Sequence, residues 1–335
     1  MSGRPTLASV AKEAEVSIPT VSQVMRGTGR ISEQTRRKVL KAAKKLHYVP
    51  DSRAASIRSG ENREIGFVIN QLLNPFNAEV VSGVVDLLDA EGYLVSILDT
   101  RDNAQRQGHQ LEAFIRNGRG GLLWVPAMDT PADTLELLKA HRTPTVSFLR
   151  PASKDFDHVG IRDAEATSAG TTYLAELGHR HIAYLGGTDM TFVREQRIAG
   201  YQRTMQARNL GPGIVWSSAD NKRAGMEALM ALRAQHPQIT AVVCNGDMVA
   251  LGACLALIRA GQQPGREVSV VGFDDIDDAA VATPSLTTMA VSPRKIGGKL
   301  ARVLLERIRD PDMPATVSEI SAELVIREST GAPMS

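Results

Sequence analysis

Gln23 carries a chemistry that a double helix can read. A side-chain amide donates and accepts at once, so it pairs bidentately with N6 and N7 of adenine in the major groove, where an arginine would favour guanine. The residue is equally compatible with a solvated polar position. Ile18, Pro19, Ser22 and Arg26 fall on the same outward face of the segment IPTVSQVMRG. Residue types that could catalyse are scattered by comparison. Cys244 and Cys254 are the chain's two cysteines; without a neighbouring pair they make neither a disulfide framework nor a zinc site and read as buried small hydrophobes. The glycines of GRGG precede a strand-like run instead of following one, and neither GxxxxGK[ST] nor GxSxG occurs, which argues against dinucleotide, phosphate-loop and serine-hydrolase chemistry. Asp274, Asp275, Asp277 and Asp278 crowd the segment DDIDD. They are as compatible with a helix cap or a solvated loop as with a site, and neither a metal nor a cofactor is expected.

The elements that must present Gln23 are helices. Leu7, Val10, Ala11 and Ala14 recur at three- and four-residue steps, with Thr6 placed to cap them. AEVS then turns the chain, and Ser17 caps a second helix with Pro19 in its first turn and Gly27 at its end. Val21, Val24 and Met25 form the inward face. A third helix runs from Ser32 through SEQTRRKVLKAAKKLHYV, with Val39, Ala42, Ala43 and Leu46 on one side. Two short helices joined by a tight turn and braced by a third form the unit that inserts its second helix into a major groove. A generic basic bundle is the weaker alternative, because caps, turn spacing and charge agree.

Charge divides the chain in the same place. Residues 1–60 hold 12 Lys+Arg against 4 Asp+Glu, and the remaining 275 residues hold 27 against 33, so the formal +2 conceals a basic head and a mildly acidic body. With 43% apolar and 23% charged residues the 335-residue chain has globular composition, enough for two or three domains. No apolar run approaches the ~20 residues that span a bilayer and no secretory core follows the N-terminus, so a cytoplasmic location without a membrane partner is expected. From residue 63 onward, β-branched runs (EIGFVIN, YLVSIL, GGLLWVP, TVSFL, then HIAYLGG, IVWSS, TAVVCNG, VSVVGFDD) alternate with amphipathic helical stretches. Repeated units of this kind imply parallel sheets covered by helices on both faces, here two α/β lobes. Ligands of such sheets bind beyond the strands' carboxyl ends, which singles out NQLLNPFN, LRP, GGTD, NGD and DDIDD. The helix from Pro293 to Arg309 is expected to return to the first lobe.

These patterns resemble the lactose/galactose repressor (LacI/GalR) family. In the head the likeness rests on TLASVAKEAEVSIPTVSQVMRG and KAAKKLHYVPDSRAASIRSG, and in the body on NPF, LGHRHIAYLGG, RIAGY, NGDMVALGA, VSVVGFDD and PSLTT. The resemblance implies a small all-α helix-turn-helix domain over residues 1–50, a hinge helix or linker over 51–61, and a two-lobed, periplasmic-binding-protein-like core of doubly wound parallel sheets over 62–335. Lobe 1 would take about 62–160 and 293–318, and lobe 2 about 161–292 and 319–330. It implies that Ile18, Pro19 and Gln23 read bases while Thr20, Ser22, Ser32 and Thr35 touch the backbone. Thr6, Arg26, Tyr48 and Ala54 join them as candidate contacts, with Ile57 as the minor-groove wedge where the family usually has Leu. It further implies that Arg197 and Asp274 hydrogen-bond a small effector, that Asn70 and Phe76 line the cleft, and that Asp247 lies at its floor. Two departures stand out. Glu15 replaces the family's turn glycine, at about 1 kcal/mol if left-handed. Leu149, followed by Arg150, replaces an Asp common in sugar binders, which favours phosphorylated or carboxylated ligands over a simple hexose.

The reading is a ligand-responsive transcriptional regulator, most readily a repressor. Its expected partners are a pseudo-palindromic duplex operator, a sugar or sugar derivative, and a second copy of itself, with no tail behind SAELVIREST to pair dimers. Arg197→Ala should then abolish the effector response and spare DNA affinity. An α/β enzyme with an accessory basic domain is the alternative from another class, and a periplasmic sugar-binding protein fits the body but not the head.

Overall fold

A computed structural model describes residues 4–50, 62–118 and 120–334. The chain divides into two units, Met1–Asn62 and Arg63–Ser335. The first unit holds α1 (Leu7–Ala14), α2 (Ile18–Arg26) and α3 (Glu33–Lys45). Val10, Ala11, Ala14, Val21, Val24, Val39, Ala42 and Ala43 form its core, the inward faces of three amphipathic periods. Each helix starts on a hydroxyl cap: Thr6 Oγ1 accepts from Ser9 N, Ser17 Oγ from Thr20 N, and Ser32 Oγ from Thr35 N. Glu15 ends α1 in the left-handed region at φ 55°, the strained conformation that a glycine there would relieve. The third helix stops four residues short of the sequence expectation. His47 turns left-handed at φ 50°, which breaks the repeat before Tyr48, and Tyr48 N returns to Ala43 O at 2.9 Å.

The second unit carries two six-stranded sheets. In the first, β1 (Glu64–Ile69), β2 (Leu94–Asp99), β3 (Gly121–Trp124), β4 (Thr145–Phe148), β5 (Asp157–Ile161) and a late strand, Val317–Ile320, run in the order late strand-β5-β4-β3-β1-β2, all parallel. In the second, β6 (Ile182–Leu185), β7 (Ile214–Trp216), β8 (Ala241–Cys244), β9 (Ser269–Asp274) and β10 (Thr287–Ala290) are parallel, and Glu323–Val325 pairs antiparallel with β10 at the edge. The inner strands are buried along their whole length, as sheets covered on both faces require. The chain passes between sheets three times: after β5, after β10 into the helix Pro293–Arg309, and between the last two strands. That long helix packs on the helix Pro75–Ala90 of the first lobe. Five described elements have no counterpart among the sequence-expected runs: β5, the helix Asp163–Glu176, the short helix Asp277–Val281, β10 and the strand Val317–Ile320. β5 is polar in sequence, DHVGI, yet buried, because Arg307 forks onto Asp157 and Ser147 bonds His158. The helix after it, Asp163–Glu176, is made largely of small residues and threonines, which blur the apolar stripe.

Candidate nucleic-acid interface and ligand cleft

In the head, α2 turns Val21 and Val24 into the core and leaves Ile18, Pro19 and Arg26 exposed. Ile18 is 48% exposed, an unusual setting for an isoleucine in so small a bundle. Thr20, Ser22 and Gln23 are half-buried on the same helix. The amide of Gln23 has room because Gly29 lacks a side chain: a Cβ there would sit 3.0 Å from Gln23 Oε1. Gly29 also holds φ +82°, so two separate constraints favour glycine. Thr6, Thr20, Ser32 and Thr35 all take part in capping, with Ser17–Thr20 and Ser32–Thr35 hydroxyl pairs at 2.8 and 2.9 Å. Their first role is therefore to set helix ends whose remaining N–H groups suit a phosphate. Tyr48 packs half-buried against the helical core, a bracing position. Ala54, Ile57 and the hinge segment lie outside the described residues.

In the second unit, loops from both sheets' carboxyl edges enclose a cleft of about 810 Å³. Asn70, Phe76, Leu149, Arg150, Arg197 and Asp274 all line it. Arg197 organises the floor. It is 5% exposed and projects from the helix Phe192–Ala207. Its Nε donates to Asp163 Oδ1 at 2.7 Å, one Nη donates to the carbonyl of Asn245, and the other lies 4.0 Å from Asp274 Oδ1. The Phe273 ring stacks under the guanidinium, 3.5 Å from Cζ. Burial works against the charge, yet Asp163 and Asp274 hold the Arg197 pKa above its ordinary value. Burial in turn raises Asp163 and Asp274, opposed by the same guanidinium. Asp274 sits at φ 116° and Asp275 at φ 58°, a left-handed pair costing on the order of 1–3 kcal/mol each.

What over-determines that turn is Asp247, and here the sequence expectation is corrected. Asp247 is not part of the cleft lining. It is fully buried behind it, where Oδ2 accepts from Ile276 N at 3.0 Å and Oδ1 from Thr288 Oγ1 at 2.6 Å. Gly272 makes the space, since a Cβ there would stand 2.1 Å from Asp247 Oδ1. Burial pushes the Asp247 carboxyl up to about 7. As the first residue of the helix Asp247–Arg259 it points back under β9; its successor Met248 faces the cleft.

Arg150 is also recast. Its fork closes on Asp102, with Nη2 2.8 Å from Oδ2, while Nη1 reaches Asp102 Oδ1 and the carbonyl of Pro126 at 3.0 Å. The guanidinium is therefore neutralised before any ligand arrives. Leu149 occupies the left-handed region at φ 61°, and it packs against the main core. The sequence reading missed Arg194 and Asp220, and it reached Asn245 only as the first residue of the segment NGD. Arg194 stands one helical turn before Arg197, donates to Gly186 O and Ser217 Oγ, and pairs with Asp189 at 3.0 Å. Asn245 Nδ2 donates to Asp220 Oδ1 at 2.8 Å, and burial raises the Asp220 pKa against that bond. Asp220 follows the strand IVW, so the strand-end rule applied to that loop would have found it. The other aspartates of DDIDD turn elsewhere: Asp275 pairs with Arg327 at 2.7 Å and Asp278 with Lys222 at 2.6 Å.

Comparison with known proteins agrees with both units. Residues 6–51 match the model of bacterial regulatory proteins of the lacI family, and residues 171–330 match a periplasmic binding protein-like domain. The HTH-type transcriptional repressor PurR of Vibrio campbellii is 32% identical over 328 residues, covering 97% of this chain and 98% of that protein. Among solved structures, the complex of the transcriptional regulator CelR with cellobiose is 26% identical, with a TM-score of 0.74 over 97% of this chain and 100% of the other. The lac repressor dimer bound to operator and the anti-inducer ONPF shares the fold, with a TM-score of 0.87 at 24% identity over 98% of this chain and 100% of the other. Among the described residues no helix is long and apolar enough to cross a membrane.

Proposed function

The chain belongs to the LacI family of bacterial regulatory proteins, and on that premise we propose that it is a transcriptional repressor whose hold on a duplex operator is set by a neutral, polyhydroxylated molecule bound between its lobes. The observation that carries the ligand class is the 4.0 Å gap between an Arg197 Nη and Asp274 Oδ1. A hydroxyl donates and accepts at once, so one ligand O–H bridges that gap, accepting from the guanidinium and donating to the carboxylate. Asn70 and the amide–carboxylate pair Asn245–Asp220 extend the same chemistry along the cleft.

Neutrality follows from charge balance. The four arginines of the lining, Arg101, Arg150, Arg194 and Arg197, each stand within 4.0 Å of a carboxylate of the protein, Arg101 the most loosely at 3.9 Å from Asp99, so a phosphate or carboxylate would have to compete with one. A sugar such as those bound by relatives asks for no such exchange, and this reverses the preference drawn from Leu149 and Arg150 alone. In the head, Ile18, Pro19 and Gln23 read bases and the capped helix ends position the backbone. The lac repressor structure is that of a dimer on its operator, and a dimer here would present two heads to a pseudo-palindromic site in the cytoplasm. Residues 1–50, 51–61 and 62–335 then serve as head, linker and sensor, with lobe 1 near 62–161 and 293–320 and lobe 2 near 162–292 and 321–330, because the strand Val317–Ile320 pairs whole with β5 and moves the expected boundary of 318/319 by two residues. A ligand that prefers one lobe arrangement by a few kcal/mol shifts operator occupancy; equal affinity for both would shift nothing.

The test is fluorescence anisotropy of the full chain on duplex DNA taken from upstream of its own coding region. Neutral sugars, sugar phosphates and sugar acids are added in turn. Binding should weaken steeply as salt rises and respond to a neutral sugar. A response confined to anionic ligands would refute the ligand class, and sequence-indifferent binding would refute the regulator.

A further inference from the structure

We propose that Glu79 is a weak latch between the lobes, joining the turn that carries Asp274 to the first helix of lobe 1 and so setting how readily the lobes change arrangement. Its consequence at DNA rests on the regulator reading above; the latch itself does not. Glu79 lies on the helix Pro75–Ala90, whose second residue, Phe76, lines the cleft, and its Oε1 accepts from Asp277 N at 3.1 Å. Among the described residues, and away from the three crossovers, this is the hydrogen bond that spans the two lobes.

Both ends of the bond are held. On the lobe 2 side, Asp274 faces Arg197, and the next two residues are pinned in turn, Asp275 by Arg327 and Ile276 N by Asp247. The turn therefore moves with lobe 2 as one body. On the lobe 1 side, the helix of Glu79 is pressed against the helix Pro293–Arg309 at Gly83 and Gly297, where a Cβ would run into the backbone of the opposite helix. Helices packed that closely shift together. A change in lobe angle thus falls on the Glu79 bond instead of being absorbed on either side of it. The surroundings keep that bond weak. Burial raises the Glu79 carboxyl above its ordinary value, as do the charges of Asp277 and Asp275, while the Asp277 N–H and Arg294 favour the anion. Arg294 is shared with Asp86 at 2.8 Å. The hydrogen bond is made in a place that on balance disfavours the charge. Such a contact is made or broken at small cost, as an equilibrium that a ligand is to shift requires.

The experiment compares three variants of the full chain. Glu79→Ala removes the acceptor. Glu79→Gln keeps an acceptor and removes the disfavoured charge, and Asp277→Asn, at an exposed position, keeps the backbone donor and removes the stronger of the two like charges. Amide hydrogen exchange followed by mass spectrometry reads the latch over residues 275–282. Anisotropy on the duplex from upstream of the coding region, at one salt concentration, reads its consequence. Exchange should quicken about 3- to 10-fold in Glu79→Ala, the range of one hydrogen bond, and slow in Glu79→Gln and Asp277→Asn. Affinity for the duplex should shift one way in Glu79→Ala and the opposite way in the other two. A residue that only supported folding would move Glu79→Ala and Glu79→Gln in the same direction. Shifts of one sign in all three variants, or exchange unchanged by Glu79→Ala, overturn the latch. Opposite shifts in exchange with unaltered affinity for a sequence-specific duplex overturn its control of the lobes. If the parent chain binds duplexes without sequence preference, the regulator reading fails, and opposite shifts in exchange still support the latch.

Discussion

Replacing Arg197 by Met removes a charge from the centre of the second unit while keeping most of the side chain's volume. Asp163 and Asp274, 3% and 8% exposed, would then lose their cation, and the Asn245 carbonyl would lose its donor. Removing one partner of a buried pair costs about 3–5 kcal/mol, because the other is left uncompensated. At about 2–4 °C per kcal/mol for a domain approaching this size, the melting temperature should fall on the order of 10 °C. The loss should also depend on pH. Burial already raises both carboxyls, and without the guanidinium they rise further above their unfolded values. A raised acid contributes stability that is fully present below its unfolded pKa and lost as pH climbs through the folded one. The deficit relative to the parent chain should therefore be smaller at pH 5 than at pH 8. Differential scanning calorimetry at the two pH values measures it. A deficit under about 1 kcal/mol, flat between pH 5 and 8, would refute the view that Arg197 is a structural keystone as well as a ligand donor. The same reasoning revises the sequence-based expectation for Arg197→Ala: loss of effector response in that variant would have to be separated from loss of the folded sensor.

Asp247→Asn mimics the protonated carboxyl. With Asp247 raised to about 7, stability of the parent should decline as pH rises from 5 to 8, and the decline should be shallower in the variant, where the raised Asp163, Asp220 and Asp274 still contribute; an unchanged slope would assign the titration elsewhere. Glu15→Gly relieves the φ 55° cap and should stabilise the head by up to about 1 kcal/mol, read as a higher melting midpoint of the head; destabilisation would mean that Glu15 contributes more than its strain removes. Gln23→Ala should cut discrimination at one half-site position by about 1–3 kcal/mol and leave the salt slope of binding unchanged, as measured by anisotropy on operators varied one base pair at a time.

Some of this was legible because it is local. The capped, amphipathic periods of α1 to α3 and the left-handed cost at Glu15 depend on neighbours within one or two turns. The apolar strands β1 to β4 declare themselves by β-branched runs bounded by turns, so the two-sheet architecture could be read along the chain. β5 could not, because Asp157 and His158 are tolerated inside a sheet only through partners on distant segments, Arg307 and Ser147. Arg150 shows the same limit at the site. Its residue type suggested a free cation, and only the fold reveals Asp102 across the rim, 48 residues earlier in sequence.

The amino-acid sequence by itself determined which segments end beneath a cleft and which helix faces outward from the head, since periodicity and capping are properties of consecutive residues. Tertiary structure alone decided which of the polar side chains gathered there remain available to a ligand. Asp247 and Arg150 carry the same charges in either case. Their neighbours, set by how loops from different strands converge, claim Asp247 for the turn beneath Asp274 and close Arg150 onto Asp102, while Arg197 and Asp274 keep a gap that a hydroxyl can bridge.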